Sequence, residues 1–359
     1  MSANYWESTH RRYWNFTKDQ LATMRQKLED QNPELVQMYP LQQQRHLYIY
    51  FNTQINRLSK RLAIRQQAIS TAQVYLKRYY TRVEIRRTNP YLVIAAAVYL
   101  ACKIEECPQH IRFIVNEAKS LWQDFVTIDT GRLGECEFAL ISEMDSHMIV
   151  HQPYRTLQAL QGDLTLTQED VALAWSLIND SYMTDLPLLV DPHIIALTAI
   201  MLSLVLRPSP PNHSATGQQQ TMSIGQVNLA SMTNASAAIM QAAHVHAQTQ
   251  AHSHAQSYSH AQAQNMSHPG LNAAGTSGSS NGGSGSGGGP AADALPKKNM
   301  RFTRVQQYTV WLAESNVDIT AIVDCTQEMV YFYEMQEQYN DKVTKEQINR
   351  FIKARELDK

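Results

Sequence analysis

The chain has 359 residues, 43% of them hydrophobic, and a formal net charge of −1; that length corresponds to about two domains of roughly 150 residues, with enough apolar material for a sizeable core. A near-neutral chain does not coat nucleic acid or an anionic membrane by bulk charge, although a local patch stays open. Cys102, Cys107, Cys136 and Cys325 form no CxxC pair and no His/Cys zinc spacing, which excludes a disulfide framework or zinc centre and leaves reduced, mostly buried thiols. The opening MSANYWESTHRRYW has aromatic and charged residues where a secretory signal needs an apolar core, so an intracellular protein is expected.

In chain order, residues 3 to 15 form an aromatic, helical arm with Tyr5, Trp6, Tyr13 and Trp14. Thr17 and Gln20 make a capping box ahead of Leu21, Met24 and Leu28 at helical spacing, and Asn32-Pro33 ends that helix. A helix from about Leu41 carries Leu47, Phe51, Ile55 and Leu58 on one face. Another from about Arg65 turns Ala68, Ala72, Tyr75, Leu76 and Tyr79 inward. Asn89-Pro90 then opens NPYLVIAAAVYLACKIEE, because proline suits a helix start where the first turn lacks N–H partners anyway. From Tyr91 to Cys102 this helix is apolar all round, so other helices must enclose it, and it is far shorter than the about 20 residues that span a bilayer. It ends abruptly in charge at Lys103, Glu105 and Glu106. Two further helices follow, roughly His110 to Ser120 and Arg132 to Met144, and no segment alternates with period two. The fold class is all-α.

An internal repeat organises the rest. Asp191-Pro192 opens a second apolar run, HIIALTAIMLSLVL, at an offset of 192 − 90 = 102 residues, and at that offset Tyr80 falls on Tyr182, Leu76 on Ile178 and Ala72 on Ala174. Matched loop lengths and matched X-Pro starts favour tandem duplication over chance similarity of two apolar helices. From 209 to 299 the composition shifts to Gln, Ala, Ser, His and Gly, with no charged side chain between Arg207 and Asp293. Such a segment lacks the apolar surface to offset its ordering entropy, and disorder is expected. It holds seven of the 13 histidines; polar low complexity is the commoner explanation than metal binding. Helical spacing resumes with Val305, Tyr308 and Leu312, then Ile322, Met329, Val330 and Tyr333, two helices that would complete the second repeat. Thr344 and Gln347 are read as the cap of a final helix bearing Ile348, Phe351 and Ile352.

No catalytic constellation appears: no GxSxG, phosphate-binding glycine loop, HExxH or kinase motif set. Three features rise above a bland core. Leu133, Cys136, Leu140 and Met144 define an apolar stripe, and at 100° per residue Glu137 lies about 40° from Leu133, inside that stripe. A carboxylate there needs a partner, and Lys103 is the most economical one. In the alternative reading Lys103 complements its own helix C-terminus and Glu137 is solvated. The run WSLINDSYMTDL clusters Asn179, Asp180, Tyr182, Thr184 and Asp185 at a helix end, either as a polar surface between the repeats or as capping and turn chemistry. The arm around Trp6 either enters a partner's groove or folds back on its own repeat. Arg78, Arg82, Arg86 and Arg87 read as a solvated basic face rather than a phosphate site.

ANYWESTH at the start, LACKIEE after the buried helix, ECEFALISEMDSHMIVHQPYRTL across the repeat junction and LAWSLINDSYMTDL in the second repeat together resemble the cyclin C family, in its fungal form. The likeness covers roughly residues 3 to 207 and 302 to 337. It implies tandem five-helix cyclin boxes: a kinase-contacting arm and helix over 1–40, box 1 over 41–150, box 2 over 151–337 interrupted by the insertion at 209–299, and a C-terminal helix over 338–359. It further implies a non-catalytic nuclear subunit, without cofactor or metal, that activates the cyclin-dependent kinase of the Mediator kinase module. Lys103 and Glu137 match the pair that cyclins present to the kinase; Glu105 and Glu106 beside Lys103, and the arm at Tyr5 and Trp6, are the further kinase-binding residues it implies. Asn179, Asp180, Tyr182 and Asp185 match a surface between the boxes open to other module subunits. Neither sequence-specific DNA binding nor a membrane is implied. QQQRHLYIY stands where cell-cycle cyclins have an MRAIL-like patch, so substrate docking of that type is not expected. The rival reading is a cyclin-fold general transcription factor clamping promoter DNA; it would need a basic repeat surface and a Cys-rich ribbon, and the sequence has neither.

Overall fold

The computed structural model describes residues 4–206 and 297–359. Every regular element among them is helical, as the sequence requires. The expectation of disorder at 209–299 lies outside the described residues. The described residues up to 206 belong with Val317–Lys359 to one compact unit. A helix at Lys297–Glu314 belongs to another and forms where Val305, Tyr308 and Leu312 have helical spacing.

A 3-10 turn at Tyr5–Glu7 and α1 (Thr9–Trp14) form the arm, followed by α2 (Lys18–Asp30), α3 (Pro33–Met38), α4 (Gln44–Arg61) and α5 (Gln66–Tyr79). Thr17 and Gln20 form the expected reciprocal capping box. Asn32-Pro33 does more than end α2, because it opens α3 in the same X-Pro manner. The central helix α6 (Pro90–Ile104) is capped by Asn89, and its residues from Tyr91 to Cys102 are buried apart from Leu92 and Tyr99. It packs against α4, α5, α7 (Ile111–Leu121) and α8 (Thr130–Glu143). Five helices with α6 at the axis bury Leu47, Phe51, Ile55, Leu58, Ala72, Tyr75 and Leu76 completely or nearly so.

The second half repeats the plan. After α9 (Tyr154–Asp163), α10 (Gln168–Ser181) and the short α11 (Leu186–Leu189), the apolar α12 (Pro192–Leu206) is the new axis. It packs on α9, α10 and a helix at Ile319–Gln338. Both members of each matched pair, Tyr80/Tyr182, Leu76/Ile178 and Ala72/Ala174, are buried.

Two local expectations are corrected. The last helix (Asp341–Ala354) starts before Thr344, and its cap is Asn340, whose side chain accepts from Lys342 and Val343 N–H. Thr344 and Gln347 instead bind Gln42: Thr344 Oγ1 donates to Gln42 Oε1 (2.8 Å) and Gln347 Oε1 accepts from Gln42 N–H (3.0 Å). Helix α4 begins at Gln44 rather than near Leu41. The four arginines do not share a solvated face either. Arg78 is fully buried and donates to the carbonyls of His147 (2.9 Å) and Ile149 (3.2 Å). Arg86, also buried, pairs with Glu84 and donates to the Tyr39 carbonyl. Only Arg82 and Arg87 stay exposed. Buried backbone carbonyls of irregular segments need donors, and helical spacing cannot reveal them.

Candidate functional site: the charged end of the buried helix

Helix α6 stops in a tight reversal. Glu106 adopts a left-handed conformation (φ 54°), Cys107 N–H donates to the Cys102 carbonyl (2.9 Å) and Glu106 N–H to the Lys103 carbonyl (3.3 Å). These are the two hydrogen bonds of a Schellman end, here with glutamate where glycine is usual. The turn leaves Lys103 on the last helical turn with its ammonium 4.4 Å from the Tyr99 ring centre. Lys103 Nζ pairs with Glu137 Oε1 on α8. The Glu137 side chain is 12% exposed and the Lys103 side chain 40%. The contact is an ion pair by proximity; Oε1 accepts no directed hydrogen bond. Of the two readings left open by the sequence, the paired one is what the fold contains. Phe138, next to Glu137 in sequence on α8, is 73% exposed, and Phe113, on α7, is 62% exposed.

The two acids of the turn part company. Glu105 points inward, accepting from Thr71 Oγ1 (2.5 Å) and Gln152 Nε2 (3.3 Å), which ties α6 to α5 and to the segment leading into α9. Glu106 is exposed. Tyr5 is likewise committed within the chain: its hydroxyl donates to Asp191 Oδ1 (2.6 Å), which also accepts from Asn15. Burial first, then the Asp191 carboxylate, push its pKa upward. Trp6 is 54% exposed, its ring tilted against His193 and under the Arg11 guanidinium. Tyr5, Trp6 and Glu105 line one cleft of about 670 Å³, which does not include Lys103 or Glu137.

The polar cluster of the second half is mostly internal. Tyr182 is buried, and its carbonyl accepts from Lys77 Nζ (2.7 Å) and Asn52 Nδ2 (3.0 Å) of the first bundle. Asp185 takes a bidentate pair from Arg25 (2.7 and 2.9 Å). Asn179 Oδ1 accepts from Tyr154 (2.7 Å), and Asp180 Oδ2 from Tyr333 (2.7 Å); burial pushes the Asp180 carboxyl up to about 6. Asn179 and Asp180 also line a cleft of about 530 Å³ with Ser59, Gln73 and Met183. Sequence reasoning missed Phe113 and Phe138, Thr71 and Gln152 behind Glu105, and Lys77 and Asn52 at the Tyr182 carbonyl. For Phe138 a signal existed, since it lies 100° round α8 from Glu137, outside the apolar stripe.

The described residues of the larger unit form two helical bundles, each built round a buried apolar axis. The model of the cyclin N-terminal domain matches residues 12–149. Over its whole length the chain is 61% identical to the RNA polymerase II holoenzyme cyclin-like subunit of Chaetomium globosum, 56% to that of Neurospora crassa and 54% to that of Gibberella moniliformis, covering each relative completely. The chain belongs to the cyclin family, among the fungal cyclin-like subunits of this cyclin C type.

Proposed function

We propose that the chain is the regulatory subunit that binds and activates a cyclin-dependent kinase in the Mediator kinase module, and so regulates transcription by RNA polymerase II in the nucleus, including phosphorylation of the polymerase C-terminal domain. The observation that carries this reading is full-length identity of 61% to a protein named as an RNA polymerase II holoenzyme cyclin-like subunit. The Lys103–Glu137 pair, with exposed Phe138 next to Glu137 on α8, supplies a surface suited to it. A kinase of this kind is active when the glutamate of its αC helix pairs with the strand lysine that holds the ATP phosphates, and the position of αC controls that pairing. A rigid helical face offering a lysine and a carboxylate at fixed positions favours the inward state of αC by binding it better than the outward state. The cyclin contributes position, not a reacting group. Trp6 adds an aromatic contact from the arm, with Glu106 beside Lys103; Tyr5 and Glu105 act indirectly, by fixing the arm and the turn. Asn179 and Asp180 are the members of the second cluster that a further module subunit could reach, while Tyr182 and Asp185 hold the surface in place.

Co-expression with candidate kinases, followed by co-purification and phosphorylation of a polymerase C-terminal-domain peptide, tests the reading. A stable complex with at least ten-fold higher kinase activity is expected. A chain that forms no complex, or forms one without a gain in activity, would overturn it.

A further inference from the structure

The Schellman end of α6 carries a thiol at each of the two positions that its long hydrogen bond joins. Cys102 is buried in the core cluster, and Cys107, five residues on, is half-buried at the surface. The 2.9 Å bond from Cys107 N–H to the Cys102 carbonyl sets the two backbones side by side, where an apolar contact between these positions is usual. Burial, then the neighbouring Cys107 thiol, push the Cys102 thiol up to about 12. Between them lie Lys103, Ile104, Glu105 and the left-handed Glu106, so any bond between the sulfurs closes a ring around the residues that carry the candidate site. Pro108 follows directly, and its lack of an N–H prevents α6 from continuing past the turn.

We propose that Cys102 and Cys107 are a redox-modification site, a pair that a peroxide converts to a disulfide and a thiol reductant restores. In the first step the Cys107 thiolate, the sulfur that solvent reaches, attacks one peroxide oxygen; the O–O bond breaks, hydroxide leaves, and Cys107 becomes a sulfenic acid. In the second, the Cys102 sulfur attacks the Cys107 sulfur. The S–O bond breaks, the Cys102 proton leaves with the hydroxyl as water, and the S–S bond forms. Two thiols have lost two electrons, and the peroxide, with the protons released, has become two waters. Cys102 is buried away from peroxide itself and serves as the resolving sulfur. Closing the bond brings the sulfurs from non-bonded contact to about 2.05 Å, and the turn that presents Lys103 and Glu105 must absorb the change. Oxidation therefore weakens whatever binds that turn; resting on the reading above, this is the kinase.

The test uses the full chain, with hydrogen peroxide as oxidant. Peptide mapping under non-reducing conditions should find a Cys102–Cys107 link that dithiothreitol removes, and Cys107→Ser should abolish it. Binding of the partner kinase by the oxidised wild type should fall at least five-fold and recover on reduction, while Cys107→Ser binds equally before and after peroxide. Complete alkylation of both thiols after peroxide treatment would overturn the proposal, as would equal loss of binding in wild type and Cys107→Ser. If the reduced chain binds no kinase, the functional reading fails alone, and the peptide map still decides the bridge.

Discussion

Glu137 faces two opposing terms. Its carboxylate is largely withdrawn from water, which costs free energy, and its cation Lys103 remains 40% exposed, which screens the attraction. Partly exposed pairs of this kind contribute about 0–1 kcal/mol. Replacing Glu137 with alanine should therefore change the melting temperature of the free cyclin by no more than about 3 °C and yet reduce kinase activation at least ten-fold. Thermal unfolding of the isolated chain beside a peptide-kinase assay separates the two, and equal losses would return Glu137 to a structural role. Trp6 is argued the same way. It is 54% exposed and rests on His193 and Arg11 at the surface, so Trp6→Ala should leave the circular dichroism spectrum and melting curve intact while weakening kinase binding by about 1–2 kcal/mol, as loss of an interface aromatic does. An unfolded variant would show that the arm belongs to the core. Lys103 and Glu137 were legible because helical angles put a carboxylate in an apolar stripe and one lysine at the end of the buried helix. The exposed Phe113 and Phe138 were not, because exposure of an apolar side chain is set by what fails to pack on it.

At the scale of the element, Asn89 shows how one residue fixes a helix at several points. Its Oδ1 caps α6 by accepting from Tyr91 N–H (3.1 Å), and its Nδ2 donates to the carbonyls of Phe125 (2.8 Å) and Leu357 (3.0 Å). The cap was legible from Asn89-Pro90; the two donations were not, since Phe125 and Leu357 lie 36 and 268 residues away. A cap is worth about 1 kcal/mol and each orphaned carbonyl about 1 kcal/mol more. Asn89→Ala should cost about 3 kcal/mol in urea denaturation. Asn89→Asp, which keeps the cap and loses both donations, should cost about 2 kcal/mol. Equal and small losses would mean that the tail after the last helix contributes nothing to α6.

At the scale of the whole chain, the contact between the first and second bundles contains a buried lysine. Lys77 is fully buried, donates to the Tyr182 carbonyl and lies 4.6 Å from the Tyr48 ring centre, with Arg25 and Asp185 nearby. Burial draws its pKa down to about 7 from 10.5; Asp185 opposes that shift and Arg25 adds to it. The unfolded chain therefore binds more protons at Lys77 than the folded one between pH 7 and 10.5. Its contribution to stability is present above that window and is lost as pH falls through about 7. Stability should rise from pH 7 to pH 9 by up to about 1.4 kcal/mol per unit, and Lys77→Met should flatten that rise. Urea midpoints at pH 7, 8 and 9 for both proteins measure it; parallel curves would show that Lys77 titrates normally.

The sequence by itself determined the helices, the two buried axes and their 102-residue offset, because a short all-apolar helix has to be enclosed and proline followed by an unbroken apolar run suits a helix start. It also determined which charged residues end the first axis. The tertiary structure decided which of those charges are available. Glu105, Tyr5, Tyr182 and Asp185 share the polar character of Lys103 and Trp6, yet their bonding atoms are spent on Thr71, Asp191, Lys77 and Arg25. Availability depends on partners from distant parts of the chain, and no local pattern encodes it. The turn after α6 required both: its charges and thiols are written in LACKIEEC, and only the left-handed Glu106 lets the Cys107 backbone return to the Cys102 carbonyl.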